Sequence, residues 1–591
     1  MKRWKGGARA MFECILDDGT ARLHCRWWQG YPWMEEYYAQ GREFMVFGKV
    51  ESLRPRTFDH PECELLEGGE EEFIHVNRIV PIHPLTEGLT ARVMRGLVWR
   101  ALEKHERDVA EPSKISLPHL PTRANALRML HFPNEMLDAE IARQRLALDE
   151  FVELQRGVQA RRRKFEASAK ALPCGGDNRL IKPFLAQLGF KLTDAQTHVL
   201  REIREDLRGA HPMRRLLQGD VGSGKTAVAA CAALMTVESG FSVALMAPTE
   251  ILAEQHFQNF KRWLEPLGVA VELQTGTKKT SNVQRSTFNT QPNKTEDVAA
   301  VSIGTHALLT GGFDLPNLGL VIVDEQHKFG TAQREALVRK GRYPHLLVMT
   351  ATPIPRTLGL TLYGDLDVST IDAMPAGRGR IRTFVRMAEA LPKVWEFVRE
   401  KLGEGRQVYV VYPRVEETDA GNVKAVTKEF EKVQKALAPF RCGLLHGRLS
   451  ARDKDAVMAE FRANKVQVLL ATSLIEVGVD VPNATVMLIE NAEQFGLAQL
   501  HQLRGRIGRG AHESFCVLVS NADGPEARER LKVLEDTSDG FKIAEADLKL
   551  RGPGELLGQQ QSGSARLRFG DLATDLELIT QARELVKPLP A

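Results

Sequence analysis

The chain is poor in cysteine, lacks long apolar runs and has almost no excess of charge of either sign. Its seven cysteines (14, 25, 63, 174, 231, 442 and 516) are scattered and form no CxxC pair. That spacing argues against a zinc site or a disulfide framework and fits a reducing compartment, so a cytoplasmic location is expected. No apolar run approaches the roughly 20 residues needed to span a bilayer, which sets a transmembrane helix and a membrane partner aside. The N-terminal Met-Lys-Arg-Trp-Lys-Gly-Gly carries basic residues with no apolar stretch behind them, unlike a secretory signal. A net charge of +4 says little about partners, because a basic face can coexist with acidic surface elsewhere. No internal repeat or low-complexity tract is evident.

The 591 residues exceed what one core can serve and imply three to five domains. Residues 1–84 read as an OB-like β-barrel, with alternating runs such as Arg9–Leu16 and Glu43–Val50 separated by turn signals. Residues 85–177 turn helical, and Asn134–Lys170 carries apolar residues at helical spacing until Pro173-Cys-Gly-Gly breaks it. Arg156 to Lys164 is the densest basic stretch; it is either a nucleic-acid contact or the solvated face of a charged helix. Residues 178–375 and 376–522 each alternate helices with buried-strand runs, among them Leu245-Met-Ala, Leu320–Val323, Leu346–Met349, Val408–Val411 and Val468–Ala471. The expected fold is therefore α/β, with two tandem doubly wound lobes. Pro375-Ala-Gly-Arg-Gly is a candidate hinge, 277–298 reads as a loop, and 523–591 as a small helical hairpin region.

Gly219-Asp-Val-Gly-Ser-Gly-Lys-Thr226 fills every fixed position of a phosphate-binding loop, after apolar Leu216-Leu217 and before a helical run from Ala227 to Val237. Gly219, Asp220, Val221, Gly222, Ser223 and Gly224 would cradle the phosphates with backbone N–H groups. Lys225 would neutralise the β and γ phosphates of ATP, and Thr226 would ligate Mg²⁺. About a hundred residues on, the strand Leu320–Val323 ends in Asp324 and Glu325. Asp324 suits the Mg²⁺ shell, and Glu325 can orient or deprotonate an attacking water. His327 either links to this site or is a plain surface histidine.

Asp324-Glu-Gln-His327 followed by Met349-Thr-Ala-Thr-Pro353 resembles motifs II and III of superfamily 2 helicases. The resemblance extends to Leu192-Thr-Asp-Ala-Gln196, where it makes Gln196 the adenine reader. It also takes in Pro248–His256 and Gly304-Thr-His306, which imply strand contacts by Thr249, Thr305 and His306. In the second lobe it covers Leu445-His-Gly447, Ala471–Asp480 and Gln502–Arg509, implying a DNA contact at Thr472, nucleotide contacts at Gly478 and Asp480, and a catalytic role for Gln502. Arg506 and Arg509 stand three residues apart and are expected on one side of a helical turn. They would act as arginine fingers on the transferring phosphoryl group.

Within the superfamily, Asp324–Gly330, Met349–Thr357 and Ile489–Gln502 are similar to the RecG family of branched-DNA translocases. Asp539–Glu555 and Leu557–Gly563 resemble that family's helical hairpin and loop, which implies a translocation relay through Arg551 and Gln561. The resemblance runs from about residue 9 onward; the family carries a helical segment and the start of the barrel ahead of that point, which leaves a misplaced start, a fragment or a naturally short form as the readings. It also implies a barrel that splits forks with exposed aromatics. Trp28, Tyr31 and Trp33 are the candidates, while Trp27, alternating with Cys25 and Leu23, is either core or contact. Implied partners are forks and four-way junctions, with single-strand-binding protein a further one, and a monomer is expected. The readings weighed against this are an Mfd-like transcription-repair coupling motor, a non-catalytic branched-DNA module with a relic ATP fold, and an RNA helicase.

Overall fold

In the computed structural model, the described residues are all except 1, 4–9, 67–73, 75–77, 85, 87, 113–118, 277–298, 310–314, 316, 326–342, 352–365, 376–378, 414–420, 448, 473–480, 511, 523, 552–566 and 587–591. The chain divides into two compact units. One comprises Met1–Phe151 with Arg566–Gly570, the other Val152–Ala565 with Asp571–Ala591.

The first unit opens with strands β1 (Lys2–Arg3), β2 (Ala10–Asp17) and β3 (Arg22–Trp27), helix α1 (Trp33–Tyr37), and strands β4 (Glu43–Phe47), β5 (Val50–Leu53), β6 (Arg56–Asp59) and β7 (Glu62–Leu66). They form a five-stranded sheet in the order β1-β2-β3-β6-β5 and a two-stranded sheet, β4-β7. The period-2 pattern of β2 and β3 sends Phe12, Cys25 and Trp27 to a common small core with Met34. Helices α2 (Ala91–His105) and α3 (Arg123–His131) follow, each opened by a threonine N-cap, Thr90 and Thr122. Helix α4 (Met136–Ser168) supplies residues to both units. Within the first unit the Glu150 carboxylate accepts the backbone N–H groups of Arg568, Phe569 and Gly570, and Arg143 donates to the Phe569 carbonyl. Gly570 has to be glycine there, since a Cβ would lie 2.6 Å from the Phe151 ring.

The second unit holds both α/β lobes. Lobe 1 contains α5 (Ile181–Gln187), α6 (Asp194–Arg208), β8 (Arg214–Gly219), α7 (Lys225–Glu238), β9 (Ser242–Met246), α8 (Glu250–Leu264), β10 (Ala270–Gln274), β11 (Ala300–Gly304), β12 (Leu318–Val323), β13 (His345–Thr350) and β14 (Asp367–Ile371). Its sheet order is β10-β11-β9-β12-β13-β8-β14, parallel throughout. Lobe 2 contains β15 (Ile381–Met387), α9 (Leu391–Gly403), β16 (Gln407–Tyr412), α10 (Gly421–Ala436), β17 (Cys442–Leu445), α11 (Ala451–Arg462), β18 (Val468–Thr472), β19 (Ala484–Ile489), α12 (Leu497–Arg504) and β20 (Ser514–Ser520), with sheet order β15-β20-β19-β16-β18-β17, again parallel. Strands such as β12 and β19 are buried at every position, which is why they read as continuous apolar runs. Helices α13 (Pro525–Asp536), α14 (Gly540–Arg551) and α15 (Leu576–Val586) complete the chain.

Two sequence expectations change here. In the basic stretch, Arg162 grips the Asp367 carboxylate with two parallel hydrogen bonds of 3.0 Å and also pairs with Glu166, so it ties α4 to β14. Arg161, Arg163 and Lys164 remain exposed. Helix α12 ends at Arg504, so Arg506 and Arg509 do not share a helical turn. The chain turns away at Gly508, whose φ of +72° and crowding by Ile381 both require glycine.

Candidate active site

Strand β8 delivers the phosphate-loop sequence at its carboxyl end, and α7 begins at Lys225, so Gly219–Gly224 span the turn between them. Gly222 and Gly224 have φ of +81° and +86°, values that side-chain-bearing residues rarely adopt. At Gly219 a Cβ would come within 2.6 Å of Ser223 Oγ and 3.0 Å of the Ile371 carbonyl. Ser223 Oγ is itself buried, with no hydrogen-bond partner among the described residues. Open backbone at the start of a helix, an unpaired hydroxyl and a buried ammonium fit a polyphosphate. Lys225 Nζ donates to the carbonyls of Gly219 (2.8 Å) and Asp220 (2.9 Å). Burial pulls its pKa down, against the charges of Glu325, Asp324 and Asp220. Thr226 sits half-buried in the first turn of α7.

Gln196 is not presented to solvent. Its Oε1 accepts from Thr193 N in a capping box at the start of α6, and its Nε2 donates to the Ser223 carbonyl at 2.8 Å. The side chain that the motif resemblance makes an adenine reader thus braces the phosphate loop from behind.

Beside this loop, β12 ends in the two carboxylates. Asp324 Oδ2 lies 2.7 Å from His256 Nε2, and its Oδ1 accepts the Glu325 N–H at 3.0 Å. Burial raises the Asp324 pKa, but the His256 hydrogen bond and the charges of His256 and Lys225 outweigh it and hold the carboxyl below its ordinary value. Glu325 behaves oppositely. Burial and the neighbouring Asp324 charge push it up to about 7, despite the lowering pull of Lys225, Ala351 N–H and Arg506. Its backbone sits at φ +51°, a strained conformation for a glutamate that costs about 1–3 kcal/mol. Two carboxylates adjacent in sequence are so pushed apart in acidity, one held ionised and one poised to exchange a proton near neutrality.

Lobe 2 closes on this cleft. Arg509 acts electrostatically on Lys225, and Arg506 on Glu325. Gly505 abuts Val221 so closely that a Cβ would lie 2.6 Å from its side chain. His501 Nε2 is 2.5 Å from Asp220 Oδ1. Gln502 is buried on α12. A cavity of about 900 Å³ opens beside the loop; Asp220, Thr370, Asp372, Arg504, Thr537 and Phe541 are among its walls, so the C-terminal helices border the phosphate loop.

The remaining candidates fall elsewhere. Thr249 N-caps α8, accepting from Leu252 N, and Thr305 and exposed His306 follow β11, the neighbour of β9 in the sheet; the three share one end of lobe 1. Thr472 closes β18 in lobe 2. In the first unit Trp28, Tyr31 and Trp33 are 50%, 51% and 55% exposed, and the rings of Tyr31 and Trp33 lie within 12° of parallel. Trp27 resolves as core, packed on Phe12 and Tyr38. Gly478, Asp480, Gln561 and His327 lie outside the described residues, as do loop 277–298 and most of the hinge; Arg551 ends α14, its side chain likewise undescribed. Among the described residues no cluster of three acidic, histidine or cysteine side chains could hold a metal, which is compatible with an ion bound through one or two protein ligands and substrate oxygens.

Sequence reasoning missed His256, His501 and Arg504. For His256 a signal existed: it shares the i, i+3, i+4 stripe of Leu252, Ala253, Phe257 and Phe260, and a histidine on a buried stripe needs a polar partner.

Comparisons with known proteins agree with this geometry. The sequence matches the DEAD/DEAH box helicase family over residues 193–360, the helicase conserved C-terminal domain over 389–511, and the C-terminal part of domain 3 of the ATP-dependent DNA helicase RecG over 537–589. It is 45% identical to the ATP-dependent DNA helicase RecG of Synechocystis over 90% of this chain and 64% of that protein. Against the Thermotoga maritima protein of the same name, identity is 42% over 97% of this chain and 74% of the relative; against that of Haemophilus influenzae it is 41% over 99% and 86%. A solved structure of RecG bound to a three-way DNA junction superposes with a TM-score of 0.68 at 38% identity, covering 96% of this chain and 75% of that one. At these identities and coverages, and with the match over 537–589, the chain belongs to the RecG family of ATP-dependent DNA helicases.

Proposed function

We propose that this chain hydrolyses ATP to translocate on double-stranded DNA and remodel branched DNA, namely stalled forks and four-way junctions. The observation that carries the reading is the convergence on one cleft of Lys225, Glu325 with its pKa near 7, and the charges of Arg506 and Arg509 from the other lobe. In this reading the Gly219–Gly224 backbone and Lys225 hold the triphosphate. Thr226 and Asp324 would hold Mg²⁺, which when bound neutralises phosphate charge. Glu325 takes the proton of the attacking water, a task suited to a carboxyl titrating near the working pH. Arg506 and Arg509 stabilise charge on the transferring phosphoryl group, so hydrolysis removes what holds the lobes together.

The division of labour follows the sequence reading: 1–84 as wedge, 85–177 as helical linker, 178–375 and 376–522 as motor lobes, and 523–591 as translocation relay with Arg551 and Gln561. Thr249, Thr305, His306 and Thr472 contact the strand backbone, and Trp28, Tyr31 and Trp33 stack on unpaired bases. Action as a cytoplasmic monomer, with single-strand-binding protein as a partner, completes the proposal. The deciding experiment compares unwinding of model forks, four-way junctions and linear duplex with and without ATP. Fork-selective, ATP-dependent unwinding that Lys225→Ala abolishes is expected; equal action on linear ends would count against the wedge.

A further inference from the structure

The polar chain that crosses from lobe 1 to the C-terminal helices runs through one histidine. Arg504 is buried and, in the hydrogen bonds that define its position, donates to the backbone carbonyls of Leu534 (2.8 Å), Thr537 (2.9 Å) and Ser538 (3.2 Å), where α13 ends. A cation at a helix C-terminus is favourably placed. Its Nη2 also donates to His501 Nδ1 at 2.9 Å. A guanidinium has donors only, so Nδ1 has to accept, and the neutral ring then carries its proton on Nε2. That N–H points at Asp220 Oδ1, 2.5 Å away, in the middle of the phosphate loop. Burial would push the Asp220 carboxyl up, yet the His501 hydrogen bond helps hold it below its ordinary value, so the acceptor is a charged one.

We infer that His501 is a positioning residue: by bridging Asp220 and Arg504 it latches the second lobe in the register that sets Arg506 and Arg509 against the nucleotide. The inference rests on the motor reading above. The next residues beyond α12 are Gly505, pressed on Val221, and Arg506 itself, so the orientation of α12 against the loop fixes where the arginines arrive. The latch spans two lobes and forms only when they close, whereas the loop that grips the triphosphate belongs wholly to lobe 1. Its loss therefore affects turnover and spares nucleotide binding.

Two substitutions of similar volume separate the ring's nitrogens. Asparagine at 501 can imitate the Nδ1 acceptor toward Arg504 and cannot reach Asp220; glutamine can present an N–H near the Nε2 position. In the full chain with forked DNA, His501→Asn should lower kcat for ATP hydrolysis about ten-fold, the scale of one charge-assisted hydrogen bond, with KM for ATP within about two-fold. His501→Gln should recover most of the rate. In an Asp220→Ala background, which has no side-chain acceptor at 220, His501→Asn should add no more than about a two-fold loss, because the two side chains share one interaction. A wild-type rate in His501→Asn, or His501→Gln as slow as His501→Asn, overturns the latch and leaves the motor reading standing. A wild-type chain with no DNA-stimulated hydrolysis overturns both.

Discussion

The nucleotide cleft and the aromatic segment of the first unit solve opposite problems with the same protein. In the cleft, Lys225, Asp324 and Arg506 are each less than a tenth exposed, and Lys225 and Asp324 are held by backbone or side-chain hydrogen bonds. In the aromatic segment Trp28, Tyr31 and Trp33 leave about half their surface in water. Phosphoryl transfer needs charges fixed in a water-poor space, where electrostatic stabilisation is strongest. Stacking on a base needs a ring face left uncovered. In the proposed reading, burial serves the cleft and exposure serves the aromatic segment.

The largest effect expected tests the cleft. Glu325→Gln should reduce ATP hydrolysis by about 10²–10⁴-fold in a phosphate-release assay while fork binding persists. The intact enzyme should lose rate as pH falls through about 7, because the protonated carboxyl no longer accepts a proton. The stability effect has the reverse sign: the fold raises this pKa above its unfolded value near 4.5, so ionised Glu325 weakens the fold increasingly from about pH 4.5 to above 7. Glu325→Gln should therefore melt no lower than wild type at pH 8. A large drop in melting temperature would mean that Glu325 is a structural group.

Next comes the aromatic pair that the structure separates. Trp27→Ala empties a core site and should cost the first unit about 3–5 kcal/mol in denaturant unfolding. Trp33→Ala should leave stability nearly unchanged and weaken fork unwinding by the equivalent of about 1–3 kcal/mol, with ATP hydrolysis on linear duplex intact. Similar unfolding penalties for both would erase the distinction between core and contact. The smallest effect concerns support: His256→Ala should cost about 2 kcal/mol of stability by stripping a charge-assisted hydrogen bond from Asp324, with a rise in the Mg²⁺ concentration needed for half-maximal hydrolysis.

The phosphate loop, the Asp-Glu strand end and the buried parallel strands were legible in the residues, because each depends on local rules: glycine at positive φ, apolar runs in strands buried on both faces, a helix following the loop. Trp27 read as either core or contact, since alternation along β3 does not say which face is covered, and only its packing on Phe12 and Tyr38 decides it. Gln196 was legible as a motif residue, while its hydrogen bond to the Ser223 carbonyl was not. What only the tertiary structure decided are the long-range pairings: His256 with Asp324, His501 with Asp220, and the placement of Arg506 and Arg509 beyond the end of α12. The pKa of Glu325 belongs with them. Such features arise from side chains up to 281 residues apart meeting in a space that excludes water, and no local pattern encodes that distance.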